Sequence, residues 1–180
     1  MTSDVPTHVI AHKNQLFFSF ANGSVQHSGP GTPYVWSAVL GASEIGVGDT
    51  VTGFAVQPGS ASSGSLAIYT RNRTNVLYGN GVSTWVLVPY REELGAYASS
   101  IQDIGWTIFL DDQGLTNFIT AQEYGNFSHA TFTEKIKTWV NEERLKVISS
   151  CISRNKSQYR IFFSDKYALY ATFRAGKVVG

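Results

Sequence analysis

At 180 residues the chain is long enough to bury one real core, and a charged fraction of 15% beside 13% aromatics and 17 glycines excludes a disordered polymer and points to β-structure with tight turns. A net charge of +1 gives no global field for nucleic acid or membrane, and the single cysteine, Cys151, excludes a disulfide framework or a cysteine metal site. No apolar run approaches the ~20 residues of a transmembrane helix, and Met1-Thr-Ser-Asp-Val-Pro6 has neither the basic start nor the apolar core of a signal peptide, so the expectation is a soluble protein made in a reducing compartment.

In chain order, 8–12 reads as a strand that passes Lys13-Asn14 into a second strand at 16–20. Asn22-Gly23 is the strongest short hairpin signal, because both central positions of a type I′ turn need positive φ. Residues 29–50 are rich in Gly and Pro and read as a long loop with at most a short turn of helix. A strand at 51–57 and a flexible connection at 58–65 precede a hairpin of 66–69 with 75–78. The strand at 85–88 is expected to stop at Pro89. A third hairpin pairs 104–110 with 115–120 around Asp111-Asp-Gln-Gly114.

One helix interrupts the strands. Thr131-Phe-Thr-Glu134 matches a capping box, and Ile136, Trp139 and Val140 make an apolar face, so a helix is expected over 133–144. Strands at 145–153, 158–163 and 168–173 follow, with Phe162 expected in the core and Cys151 expected to be an inert buried thiol. The hairpin centres lie near Asn22, Asn72, Asp112 and Asp165, a spacing of roughly 40–50 residues that matches propeller-type repeats. The expected fold is mainly β: a propeller-like or partial propeller of about four antiparallel blades, one helix near 133–144, and a single domain over 1–180.

The chemistry-bearing residues each have two readings. His8 and His12 are four apart, but on a strand that spacing is about 13 Å, too far to share one ion. Asp111 and Asp112 read as an Asx turn closing a hairpin rather than as a carboxylate dyad, because adjacent side chains point apart. No G-x-S-x-G elbow, G-x-G-x-x-G or P-loop occurs. Arg71, Arg73, Arg154, Lys156 and Arg160 gather around two hairpin turns and could line one rim facing DNA or a neighbouring subunit; solubilising turn residues are the alternative. Residues 92–143 hold nine Asp/Glu against two Lys/Arg and 144–180 hold eight Lys/Arg against one Asp, an asymmetry that suits either subunit pairing or two solvated faces. Asn22, Asn72, Asn126 and Asn155 open N-x-S/T sequons, read as by-products of Asn/Ser-rich turns.

Several phrases resemble one family: Asn22-Gly-Ser-Val-Gln-His-Ser28, Glu44-Ile-Gly-Val-Gly-Asp49, Ala67-Ile-Tyr-Thr-Arg-Asn-Arg-Thr74 with Leu77-Tyr-Gly79, Leu110-Asp-Asp-Gln-Gly-Leu-Thr116, Tyr124-Gly-Asn-Phe127 and Ser153-Arg-Asn-Lys-Ser-Gln-Tyr-Arg-Ile-Phe-Phe-Ser-Asp165. Together they resemble the β-propeller tail nozzle or tail-hub proteins of short-tailed bacteriophages, over most of the chain from about residue 8. The resemblance implies a structural virion protein, made in the bacterial cytoplasm and carried in the tail. It would form a homo-oligomeric ring, typically a hexamer, against the portal and adaptor and the tail fibre proteins, with DNA passing through it in transient non-specific contact. It implies no catalytic residue, cofactor, metal or membrane span. Family members are usually several times longer, which makes the chain a fragment, a shortened relative or one module of a larger assembly. Two other readings stand beside it. One is a carbohydrate- or receptor-binding β-domain using Tyr34, Trp36, Trp85 or Tyr97. The other is a glycosidase-type hydrolase with acids among Asp111, Asp112, Glu123 and Asp165.

Overall fold

A computed structural model describes residues 5–58, 64–121, 126–174 and 177–178, with side chains for all of these except 119–121, 126–130, 134 and 177. The described residues form four antiparallel sheets, each built from four strands taken in sequence order. Sheet 1 is β1 (His8–His12), β2 (Gln15–Ser19), β3 (Ser24–His27) and β4 (Ser43–Gly46); sheet 2 is β5 (Val51–Val56), β6 (Leu66–Thr70), β7 (Thr74–Tyr78) and β8 (Val86–Arg91). Sheet 3 is β9 (Gln102–Asp103), β10 (Thr107–Leu110), β11 (Leu115–Ala121) and β12 (Asn126–Thr131); sheet 4 is β13 (Val147–Ser153), β14 (Gln158–Phe163), β15 (Ala168–Arg174) and β16 (Lys177–Val178). The four hairpins legible in the sequence are the second-to-third strand turns of the four sheets.

The chain divides into two compact units, Met1–Gly95 and Ala96–Gly180. In the first, period-2 alternation puts Phe17 and Val25 of sheet 1 into one apolar core with Leu66, Ile68 and Leu77 of sheet 2. The first strands of the two sheets, β1 and β5, lie against each other. In the second, Ile108, Leu110 and Leu115 of sheet 3 share a core with Tyr159, Ile161, Phe163 and Phe173 of sheet 4. There β9 lies against β13, and the Gln102 side chain donates from Nε2 to the Ser150 carbonyl at 3.0 Å.

The segments between sheets are docked on the central turns. In the first unit the Val47 N–H donates to the Gly23 carbonyl at 2.8 Å, and a Cβ on Gly23, whose φ is +76°, would strike the Asp49 backbone. A Cβ on Gly95 would collide with the Arg71 carbonyl, and the neighbouring Leu94 carbonyl accepts from Thr74 Oγ1 at 2.6 Å. In the second unit the Leu115 N–H donates to Thr133 Oγ1 at 2.9 Å, and Ser164 N–H to the Lys146 carbonyl at 2.8 Å.

Several details differ from the sequence reading. The loop expected over 29–50 contains β4, an exposed edge strand whose register is Gln26↔Glu44 and Val25↔Ile45. Asn22 and Gly23 both take the expected positive φ (70° and 76°) but sit in a longer turn that closes with Phe20 N–H donating to the Ser24 carbonyl; the two-residue turn is Lys13-Asn14 (φ 47° and 59°). β8 does not stop at Pro89. It runs through it, because β8 is the edge strand of its sheet and a register shift between Thr74 and Asn75 accommodates the missing donor. Residues 104–106 form the β9–β10 turn rather than the start of a long strand.

The helix is shorter than expected: α1 (Lys137–Glu143) is flanked by 3-10 turns at Glu134–Ile136 and Arg144–Lys146. The capping box does not form, because Thr131 is the last residue of β12 and its hydroxyl lies 3.2 Å from that of Thr116. Val140 is fully buried and Trp139 packs edge-on to Phe163 at 5.5 Å, whereas Ile136 is 40% exposed.

Cys151 is exposed, and Phe162 lies outside the core. Both follow from the phase of sheet 4. Tyr159, Ile161 and Phe163 face inward, so Arg160 and Phe162 face out, and Cys151 is paired with Arg160. Phe163→Ala should therefore cost about 3–5 kcal/mol of stability in urea unfolding, and Phe162→Ala markedly less.

Candidate functional site

The five cations singled out in the sequence do not occupy equivalent turns. Arg71 and Arg73 are half-buried and flank the exposed Asn72 in the β6–β7 turn, a second-to-third strand turn of sheet 2. Arg154 and Lys156 are exposed on a 3-10 turn between β13 and β14, the first and second strands of sheet 4. In an up-and-down sheet those two kinds of turn lie at opposite ends of the strands. Arg160 is in β14 itself. Its Nε and Nη2 donate to Gln158 Oε1, and its guanidinium carbon lies 5.1 Å from the centre of the Tyr170 ring.

The acidic residues are held by their neighbours. Asp111 is 2% exposed and closes the β10–β11 turn: its Oδ1 accepts from the N–H groups of Gln113 (2.6 Å) and Gly114 (2.9 Å), and its Oδ2 from Thr116 Oγ1 (3.1 Å). This is the Asx turn read from the sequence. Burial pushes its carboxyl up from the usual range, against the pull of those donors. Asp112 Oδ1 accepts from Tyr97 Oη at 3.1 Å and pairs with Arg144 Nη1 at 3.1 Å. Asp165 pairs with Lys146 at 2.8 Å, and that hydrogen bond holds its carboxyl below the usual range. Glu123 lies outside the described residues.

The least expected cluster is in the first unit. His12, Phe17, His27 and Trp85 pack ring against ring, with centroids 5.2–6.2 Å apart for Phe17–His27, Phe17–Trp85, His27–Trp85, His12–Phe17 and His12–Trp85. His12 and Gln15, paired across the Lys13-Asn14 turn, and His27 are all at least nine-tenths buried. His27 Nδ1 lies 3.0 Å from the Ser28 carbonyl, which makes Nδ1 the donor. Nε2 of both histidines, both amide atoms of Gln15 and Nε1 of Trp85 are buried without a protein partner among the described residues. Lys13, at the turn, donates from Nζ to the Gly79 carbonyl (2.6 Å) and Asn80 Oδ1 (2.7 Å). His8 is separate: its Nδ1 lies 3.1 Å from Ser19 Oγ and its ring meets Phe54 edge-on at 6.5 Å. Among the described residues, no three His, Cys, Asp or Glu side chains gather as a metal site would need.

The sequence missed this cluster because inward-facing His and Gln carry no motif. The signal was their phase: His8, Ile10 and His12 alternate with exposed Val9 and Ala11. Of the aromatic residues proposed for ligand binding, Tyr97 is buried and Trp85 belongs to this cluster, whereas Tyr34 (92% exposed) and Trp36 (43%) stand on the loop between β3 and β4.

Burial, with the nearby Lys13 charge adding to it, lowers the His12 pKa to about 4 from 6.5. The folded state thus resists protonation of His12 while the unfolded chain accepts it, so stability is full above pH 6.5 and falls as pH drops toward 4. Equilibrium unfolding should show a loss of about 3 kcal/mol from His12 across that window. The His12→Gln variant should show a shallower acid slope. No family model matches the chain, and no curated protein matches it.

Proposed function

We propose that the chain is a structural module: a run of four propeller-type blades serving as wall material in the tail nozzle or hub of a bacteriophage. The observation that carries this reading is the repeat itself. Four times, four consecutive strands form one up-and-down antiparallel sheet, and in each unit the first strands of its two sheets adjoin. Repeated four-stranded antiparallel sheets are what propeller blades are built from, which supports the reading. The tail-protein phrases fall on the same frame, including the central turns at Asn22, Asn72 and Asp112.

The state of the acids also supports a structural reading over a hydrolase. Asp111 spends both oxygens on holding a turn, and Asp112 and Asp165 are tied to Arg144 and Lys146. In the proposed role the chain binds copies of itself and the neighbouring tail proteins, and its rigidity rather than a reaction is the function. Negative-stain microscopy of the purified protein should show closed rings with a central channel. A uniformly monomeric particle, or a hydrolytic turnover abolished by Asp112→Asn alone, would overturn the proposal.

One observation favours a second reading, a receptor- or glycan-binding domain: Tyr34 stands almost fully exposed, and Trp36, half exposed, packs on Phe18 at 5.3 Å. Aromatic faces of this kind stack on sugars. Glycan binding that disappears with Trp36→Ala would support it.

A further inference from the structure

The four sheets are not clad alike. Every residue of β6 and of β10 is buried. Sheets 1 and 4 each have one face in a core, and the opposite face carries half-buried and exposed side chains. On sheet 1 the register Val9↔Phe18, Phe18↔Gln26 and Gln26↔Glu44 lines up one row across all four strands. Val9 is 60% exposed, Glu44 is exposed, and Trp36 lies over Phe18. On sheet 4 the row is Cys151↔Arg160↔Tyr170, with Cys151 exposed, Tyr170 52% exposed and Phe162 edge-on to Tyr170 at 6.5 Å.

Both faces mix aromatic and apolar surface with one charge that is half satisfied. Glu44 Oε1 accepts from Ser24 Oγ at 2.5 Å, and Oε2 has no partner among the described residues. Arg160 uses Nε and Nη2 on Gln158, and Nη1 has none among the described residues. Arg160 is also held in place by the Tyr170 ring, which lowers the entropy lost on pairing.

We propose that these two faces are mates: the Val9–Phe18–Gln26–Glu44 face of one molecule stacks on the Cys151–Arg160–Tyr170 face of a second copy, with Glu44 and Arg160 pairing across the joint. The contact reuses the sheet-on-sheet packing found within each unit, and a guanidinium meeting a carboxylate gives it direction. It is heterologous, so repetition generates a ring or a filament rather than a two-fold dimer. The inference rests on the assembly reading above and adds the surfaces that perform it.

The test is sedimentation velocity across a concentration series on the full chain, its Glu44→Arg and Arg160→Glu variants, and the double charge swap. Each single change should weaken self-association by roughly tenfold or more, and the swap should restore most of it. Thermal melting of each variant shows that the fold is kept. As a second readout, alkylation of Cys151, the single thiol, should slow as the protein associates. Association untouched by either single change, or not restored by the swap, overturns this pairing and leaves the assembly reading standing. A protein monomeric at every concentration overturns both.

Discussion

The structure depends on how closely the backbone between sheets can approach the turn in the middle of a sheet. A meander of four strands leaves its last strand at the end where its central turn lies, and the chain must cross that turn to start the next sheet. The crossing is a backbone-to-backbone contact at Gly23 and Asp49 and again at Gly95 and Arg71, where no side chain fits. At sheet 3 a threonine hydroxyl does the same work, Thr133 accepting from Leu115. Within each unit the first strands of the two sheets then lie side by side, β1 with β5 and β9 with β13. The cores of Phe17 with Ile68 and of Ile108 with Ile161 are consequences of that placement.

The same constraint explains what was legible in the sequence. The central turns were readable because their chemistry is local: Asp111 supplies its own acceptors, and Gly114 supplies the positive φ the turn needs. What escaped was decided by partners far away in sequence. Thr131 has the signature of a helix cap, yet cross-strand pairing with Thr116 claimed it. β4 is short, exposed and preceded by a Gly/Pro-rich loop, so nothing in its own residues announces a strand; it exists because β3 offers an open edge. Phe162 and Phe163 are adjacent and chemically identical, and composition cannot say which one faces in. The phase is set by the pairing of β14 with β13, which carries a register shift between Val147 and Ser149.

The candidate site was less legible than the fold for a related reason. The charged residues that stood out are mostly tip residues of turns, and turns of different rank are not interchangeable. The residues that gather are inward-facing: His12, Gln15 and His27 around Phe17 and Trp85. A polar cluster placed in an apolar core costs stability wherever its atoms go unpaired, at about 1–3 kcal/mol each. The first unit carries that cost where β1 and β2 turn back on each other, the corner that Lys13 clamps to the turn after β7.

The consecutive strand order has a kinetic side. Every ladder in the four sheets joins strands that are neighbours in sequence, and the longest loop that pairing closes is residues 28–42 between β3 and β4. Each sheet pairs only its own consecutive strands, so it can form during synthesis without waiting for the next sheet to emerge. The longest wait falls to sheet 3, whose last strand is followed by the fifteen-residue crossing, 132–146, that holds α1. Until sheet 4 arrives, Ile108, Leu110 and Leu115 have no opposite wall. α1, which places Val140 in the same core, is the first cover to reach them.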